Sequence, residues 1–232
     1  MTKTNQQKVK DFLINNGVII VMFILVIYTG FTSDNFFTKN NFMNILMNMS
    51  SRLVIALGIA GCVITAGCDL SAGRMIGFGA CISGMLLQRM DYSGKFFPDM
   101  QPLNVFVVAL IAMLVCAAFG TVTGFFIAYL NVPPFIATLA MMEIVYGIGL
   151  IVTNATPLGG YVEQYTNVSN GKFLGINYLI WIAIIVAAIT WFIFNMTRHG
   201  KYMYAIGGNP QAAEVAGVPV KATLILIYMK AA

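Results

Sequence analysis

The stretch LNVFVVALIAMLVCAAFGTVTGFFIAYL, residues 103–130, contains no charged side chain and decides the fold. An α-helix rises about 1.5 Å per residue, so roughly 20 apolar residues cross the hydrocarbon core of a bilayer, which is about 30 Å thick. Residues 103–130 exceed that length and have room to tilt or bend. Because lipid cannot satisfy an open backbone, this segment is predicted to be a membrane-spanning α-helix.

The composition extends this conclusion to the whole chain of 232 residues. Hydrophobic residues make up 59% of the sequence and charged residues only 9%, whereas soluble domains carry about 25% charged residues. The mean hydropathy is +0.83. The net charge of +5 comes from cations scattered at the ends of apolar segments. They form no basic groove, which argues against a nucleic-acid-binding protein.

The apolar segments predict an all-α fold, a polytopic membrane helix bundle of about six transmembrane helices plus the start of a seventh. The predicted spans are residues 12–31, 42–66, 75–90, 103–130, 135–153 and 177–196. The first is predicted to be a retained helix, because no small-residue signal cleavage site follows it. Residues 223–232 are too few to cross a bilayer and are expected to begin a truncated transmembrane segment.

The distribution of Lys and Arg predicts a cytoplasmic N-terminus, because cytoplasmic loops carry an excess of these residues. With the tail 1–11 inside, seven cations lie on the inner side and four on the outer side. The inner cations are Lys3, Lys8, Lys10, Arg74, Arg198, Lys201 and Lys221, and the outer ones are Lys39, Arg89, Lys95 and Lys172. The sequence thus predicts a multi-pass protein with a bundle at 12–196 and a cytoplasmic loop at 197–222.

Residues typical of enzymes and metal sites do not group in this sequence. The four cysteines lie in or beside apolar segments without a CxxC pair, and they are predicted to be small buried hydrophobic residues. They are Cys62, Cys68, Cys81 and Cys116. The single histidine, His199, lies far along the chain from them, and no GxxxxGKS or GxxxxGKT phosphate loop is present. We therefore predict no catalytic residue, no cofactor and no metal site.

Small residues recur at helical spacing in several segments, which predicts close approach of helix backbones. These residues are Ala56 with Ala60 and Gly61, Gly73 with Gly77, and Gly120 with Gly124.

The segment GCDLSAGR, residues 67–74, places Asp69, Ser71 and Arg74 between two apolar helices. The pattern is typical of a broken helix beside a solute pathway, and equally of an ordinary turn with Asp or Ser as N-cap. The sequence leaves both interpretations open.

Arg52 and Glu143 lie inside predicted spans, where an isolated charge costs at least about 2.5 kcal/mol. A pair between them is one way to offset that cost. Glu143 is either a gate or solute contact, or a carboxyl that faces a polar seam between helices or is kept protonated.

The segment RHGKYMYAIGGNPQAAEVAGVPV, residues 198–220, is the strongest signal in the chain. Asn209 is predicted to cap a short helix, Pro210 to occupy its first position and Gly217 to end it. A flexible pair, Gly207 and Gly208, is predicted to precede this helix. A helix of about two turns is unstable alone, which indicates a docking element for another protein.

Three segments together resemble the permease subunits of binding-protein-dependent ABC importers for sugars of the ribose, xylose and galactose group. They are RLVIALGIAGCVITAGCDLSAGR (52–74), NVPPFIATLAMMEIVYGI (131–148) and YAIGGNPQAAEVAGVPV (204–220), in the order and spacing of that family. The likeness covers essentially the whole chain and is greatest to the galactose and methyl-galactoside branch. The chain departs from the family pattern at Ala140 and Glu143, and it is shorter than such permeases, which have about ten spans.

The resemblance implies that residues 197–222 form a coupling loop that contacts a separate ATPase subunit. The residues implied in that contact are Gly207, Gly208, Asn209, Pro210, Ala212, Ala213 and Gly217. Residues implied near the translocation pathway are Asp69, Ser71, Arg74, Pro134, Thr138 and Glu143. The implied partners are the ABC ATPase subunit, an extracytoplasmic sugar-binding protein, a second permease copy and membrane lipid.

The function expected from this resemblance is ATP-driven import of a monosaccharide, galactose or a methyl-galactoside, across the cytoplasmic membrane. The alternative is an ion-coupled secondary transporter that uses Glu143. The predicted docking helix argues against the alternative, because a secondary transporter needs no ATPase.

Overall fold

A computed structural model of the chain describes residues 13, 14 and 16–232. The described part contains ten named helices and one small antiparallel sheet, and it confirms the predicted all-α helix bundle. The helices are α1 (Gly17–Thr32), α2 (Lys39–Ile64), α3 (Ala72–Leu86), α4 (Val105–Leu130), α5 (Pro134–Val152), α6 (Glu163–Asn170), α7 (Tyr178–Met196), α8 (Arg198–Gly208), α9 (Pro210–Val215) and α10 (Val220–Ala231). Strands β1 (Lys172–Phe173) and β2 (Ile176–Asn177) pair between α6 and α7.

Four helices, α2, α4, α5 and α7, are long and apolar enough to cross a membrane. Helices α1 and α3 are apolar but shorter, with 16 and 15 residues. Each predicted span from residue 42 onward overlaps one of these helices, whose ends differ from the predicted bounds by up to four residues. The predicted tail 1–11, with Lys3, Lys8 and Lys10, and the first residue of the first predicted span lie outside the described residues.

The chain forms two compact units, Met1–Asn48 and Met49–Ala232, which divide within α2. In the first unit, α1 has no buried residue and is followed by the C-cap residue Ser33, whose N–H donates to the Thr29 carbonyl at 3.0 Å. The N–H of Asn41 donates to Thr38 Oγ1 at 3.3 Å. Thr38 thereby satisfies one of the free N–H groups in the first turn of α2.

Two apolar clusters form the core of the second unit. The first joins α3, α4 and α5 through Met75, Phe78, Ile82, Cys116, Met141 and Val145. The second joins α2, α4, α8 and α10 through Cys62, Ile127, Met203, Ile227 and Tyr228. Cys62 and Cys116 are buried as predicted, whereas Cys68 and Cys81 are half-buried.

Glycines on α4 allow α10 to pack with its backbone against the backbone of α4. A Cβ atom on Gly124 would lie 2.7 Å from the Cα of Ile225, and one on Gly120 would overlap the Tyr228 carbonyl. The prediction of close packing is confirmed at these two positions. It is wrong within the described residues of a single chain at Gly73 and Gly77, where an added Cβ would meet none of their atoms within 4 Å.

At the other end of the bundle, a buried glutamine joins two loops. Gln88 Nε2 donates to the Gly159 carbonyl at 3.0 Å, and Gln88 Oε1 accepts from the Phe96 N–H at 2.7 Å. The Arg89 N–H donates to the Gly160 carbonyl at 2.8 Å. These bonds fix the loop after α3 to the loop after α5.

The packing of α4 on α10 predicts opposite effects for two chemically identical substitutions. Gly124→Ala should destabilise the protein by about 1–3 kcal/mol, because the new methyl group overlaps the backbone of α10. Gly77→Ala gains the same helix propensity in open space and should be neutral or stabilising. Thermal unfolding in detergent compares the two, and equal melting temperatures for both variants would contradict this account of the packing.

Candidate functional site

The strongest sequence signal, residues 198–220, folds as α8 and α9 followed by the first residue of α10. The predicted flexibility of Gly207 and Gly208 is wrong, because both residues form the last turn of α8. A Cβ atom on Gly207 would overlap the Ile64 carbonyl at the end of α2. Glycine at this position therefore permits the end of α8 to touch the end of α2.

Both ends of α9 are capped as the sequence predicts. Asn209 Oδ1 accepts from the Ala212 N–H at 3.0 Å, and Pro210 is the first helical residue. At the other end Gly217 has a φ of +83°. The N–H groups of Val218 and Gly217 donate to the carbonyls of Ala213 and Glu214, each at 3.0 Å, which is the Schellman arrangement.

The predicted coupling residues fall into two groups, those packed against the rest of the second unit and those that are exposed. Ala213 is only 5% exposed, and Gly207 is half-buried against α2. The remaining predicted residues are exposed, namely Gly208, Asn209, Pro210, Ala212 and Gly217.

The most prominent side chain on the outer face of α9, Val215, is absent from the predicted set. It is 90% exposed. With 3.6 residues per turn, Val215 lies on the side of the helix roughly opposite Ala213. An isolated aliphatic residue two positions after an inward-facing alanine is the signal that would have identified it.

Helices α8 and α10 fix the position of α9 on the second unit. Met203 and Ile206 of α8 are buried, as are Thr223, Ile227 and Tyr228 of α10. The Tyr228 hydroxyl donates to the Cys68 carbonyl at 3.5 Å. The segment that carries α9 therefore also touches the loop between α2 and α3.

Within that loop, residues 65–71, the Asp69 and Ser71 side chains bond to each other, and the Ser71 side chain does not cap α3. Asp69 Oδ1 accepts hydrogen bonds from the Ser71 N–H at 2.8 Å and from the Ser71 hydroxyl at 2.6 Å. Ser71 occupies the N-cap position of α3 but makes no capping bond with its side chain. At the start of the loop Ala66 has a φ of +57°, a conformation that usually needs glycine.

Helix α3 begins near the middle of the bundle, which favours a broken helix over a simple turn. The Met75 carbonyl lies 3.7 Å from Cys116 Sγ, and Cys116 is close to the centre of α4. The first residue of α3, Ala72, lies within one turn of Met75. Arg74 is therefore a helix residue at this depth and not a loop cation, so the predicted orientation is supported by six predicted inner cations against four predicted outer ones.

Arg74 and Glu143 lie on an open face of the second unit near this depth. The Arg74 guanidinium lies over the Tyr146 ring, 4.1 Å from its centroid. Glu143 precedes Tyr146 by one turn of α5, so the two side chains are neighbours on one face. Both Arg74 and Glu143 are exposed, and no atom of residues 13, 14 and 16–232 lies within 4 Å of a Cβ added to Gly73 or Gly77 beside them.

The proposed pair between Arg52 and Glu143 is wrong for the part of the chain that the structure describes. No ion pair joins them there, and each is exposed on its own helix.

Two other predicted pathway residues are enclosed by the chain itself. Thr138 is 0% exposed, and its hydroxyl donates to the Pro134 carbonyl one turn earlier at 2.9 Å. Ser71 is also buried, on Asp69. Pro134 is half-buried as the first residue of α5, where a Cβ on Gly67 would lie 3.6 Å from its Cγ.

The chain is similar in sequence to known transport permeases. Residues 41–232 match the family model described as branched-chain amino acid transport system, permease component. The chain is 40% identical to the galactose/methyl galactoside import permease protein of Escherichia coli, over 98% of this chain and 70% of that protein. It is 41% identical to the protein of the same name from Haemophilus influenzae, over 99% of this chain and 70% of the relative. The ribose import permease protein of Escherichia coli is 31% identical, over 94% of this chain and 66% of that protein. No solved structure matches the chain significantly.

The capping geometry predicts that Asn209→Ala loosens α9. Loss of the cap costs about 1 kcal/mol, so amide hydrogen exchange in residues 212–216 should rise roughly fivefold in the detergent-solubilised protein. Asn209→Asp keeps the acceptor and should preserve the protection. Unchanged exchange in Asn209→Ala would mean that the cap does not hold the helix.

Proposed function

Because the chain belongs to the family of transport-system permease components, we propose that it is the transmembrane permease subunit of an ATP-driven sugar importer. The names of its relatives support a monosaccharide as solute, with galactose or a methyl-galactoside as the first choice. The observation that carries the proposal is the double-capped α9, whose outer face is exposed beside a membrane bundle.

In this proposal a separate ABC ATPase subunit hydrolyses ATP and docks on α9. The chain has no phosphate loop of its own, so the nucleotide chemistry belongs to the partner. Val215 supplies an apolar knob, while Asn209 and Pro210 hold the helix in a fixed shape. A preformed helix lowers the ordering cost of docking, which is why both caps matter.

Two contacts transmit a movement of α9 to the membrane bundle. Helix α8 touches the end of α2 at Gly207 and Ile64, and α10 lies on the glycine face of α4. ATP binding to the partner changes its contacts with α9, and a change in those contacts shifts the balance between two bundle conformations. An extracytoplasmic sugar-binding protein delivers the solute from the other side of the cytoplasmic membrane, and the N-terminus is cytoplasmic.

The open face that carries Arg74 and Glu143 supports a pathway between two copies of the chain. A charge that faces lipid near the bilayer centre costs at least about 2.5 kcal/mol, so such a face needs a cover. A second permease copy provides one and encloses a polar passage between the two faces. Asp69 and Ser71 shape the loop at the edge of this passage, whereas Thr138 supports α5 from within the chain.

Docking through α9 is tested by Val215→Asp. Burying a carboxylate in place of the apolar knob should reduce co-purification of the candidate ATPase by about tenfold or more. Leu174→Asp is the matched control, because Leu174 is also strongly exposed but lies in the loop between β1 and β2. Equal co-purification by wild type and Val215→Asp would remove α9 from the ATPase contact.

The pathway is tested by Arg74→Gln and Glu143→Gln in vesicles that contain the ATPase and the binding protein. Each variant loses a charged hydrogen-bonding group, so ATP-dependent galactose uptake should fall about tenfold with ATPase association intact. Glu163→Gln on α6 is the control for a lost carboxylate elsewhere. Normal uptake by both pathway variants would contradict the assignment.

The same vesicles address the alternative of an ion-coupled transporter, which the exposed Glu143 favours. In that case uptake would follow a proton gradient without ATP, and Glu143→Gln would abolish the gradient dependence.

A further inference from the structure

A cavity of about 450 Å³ separates α7 from α2, α3 and α10 in the second unit. Its volume falls within the roughly 300–1,000 Å³ of small-molecule sites. Four residues of α7 face it at helical spacing, namely Val186, Thr190, Ile193 and Phe194. The opposite wall is formed largely by aliphatic side chains, among them Val54, Leu57, Ile76 and Ile227. Helix α7 buries only Ala183, so this side of the bundle is loosely covered.

Two basic side chains line the same cavity, His199 from α8 and Lys230 from α10. Neither forms an ion pair or a hydrogen bond in the part of the chain that the structure describes. Partial burial lowers the pKa of His199, and the neighbouring Lys230 adds to the effect. His199 is therefore neutral near pH 7 and able to donate a hydrogen bond, whereas Lys230 contributes the positive charge.

His199 lies just after the end of an apolar helix, where a membrane meets water, and Lys230 lies deeper, within one turn of the residues of α10 that pack on Gly120 of α4. Helix α7 ends at Met196, and His199 lies in the first turn of α8. Arg198 and Lys201 are exposed in the same turn of α8. Basic pockets between membrane helices bind anionic lipid headgroups, and aliphatic walls suit acyl chains.

We propose that this cavity binds an anionic phospholipid, with its phosphate at Lys230 and His199 and an acyl chain along Val186 and Ile193. The basic side chains bind the phosphate of the lipid, and the apolar groove binds its acyl chain. A free phosphate would contact only the basic side chains, and a neutral lipid would fill only the apolar groove. This inference is independent of the transported solute and of the ATPase.

The test is native mass spectrometry of the full chain, purified in detergent and titrated with phosphatidylglycerol or phosphatidylcholine. Wild type should retain phosphatidylglycerol about fivefold better, which is the preference expected for one basic residue near a lipid surface. Lys230→Gln should remove that preference, and His199→Gln should weaken it. Lys172→Gln, a lysine in β1 away from the cavity, should leave it unchanged.

A second variant tests lipid binding in the apolar groove without changing the charge, and its melting temperature shows whether it is folded. Thr190→Trp fills the cavity without changing any charge, and it should reduce retention of both lipids with an unchanged melting temperature. Equal retention of the two lipids by wild type would overturn the proposal. So would an equal effect of Lys230→Gln and Lys172→Gln, or displacement of the lipid by inorganic phosphate at equal concentration.

Photo-cross-linking identifies the occupant in native membranes. A benzophenone amino acid in place of Val186 should cross-link to phospholipid, detected by mass spectrometry. A cross-link to a polypeptide would overturn the proposal and would identify the cavity as the seat of a membrane helix.

Discussion

Backbone packing of α10 on the Gly120 and Gly124 face of α4 is the contact on which the rest of the second unit depends. Inside a membrane the lipid is as apolar as the side chains, so helices associate mainly through close van der Waals contact. The missing Cβ atoms allow that contact here. It places Ile227 and Tyr228 in the core and fixes the chain that leads back to α9.

The consequence is that the exposed end of the molecule is joined firmly to its centre. Helix α9 is only six residues long, yet both its ends are hydrogen-bonded and its Ala213 is buried. Through α8 it meets the end of α2, and through α10 it meets α4 and the loop that leads to α3. A partner that moves α9 therefore acts on three apolar helices together, and one of them leads to the face that carries Arg74.

Local chemistry explains which features could be predicted from the sequence. Apolar length predicted the spans, and the caps of α9 at Asn209 and Gly217 were predictable because each needs only a few neighbouring residues. Features that depend on distant partners were not predictable. Gly77 and Gly124 belong to the same small-residue pattern, but only Gly124 faces another helix. In the same way, the contact between Arg74 and Tyr146 arises because α3 begins beside the middle of α4, which no local pattern encodes.

Measuring which energy source drives transport distinguishes an ATP-driven importer from an ion-coupled transporter. Galactose uptake would be measured in vesicles that contain the chain, its candidate ATPase and the binding protein, with ATP supplied or withheld and with or without an imposed proton gradient. We expect uptake that requires ATP and the binding protein and that is indifferent to the gradient. Uptake that follows the gradient in the absence of ATP would contradict it.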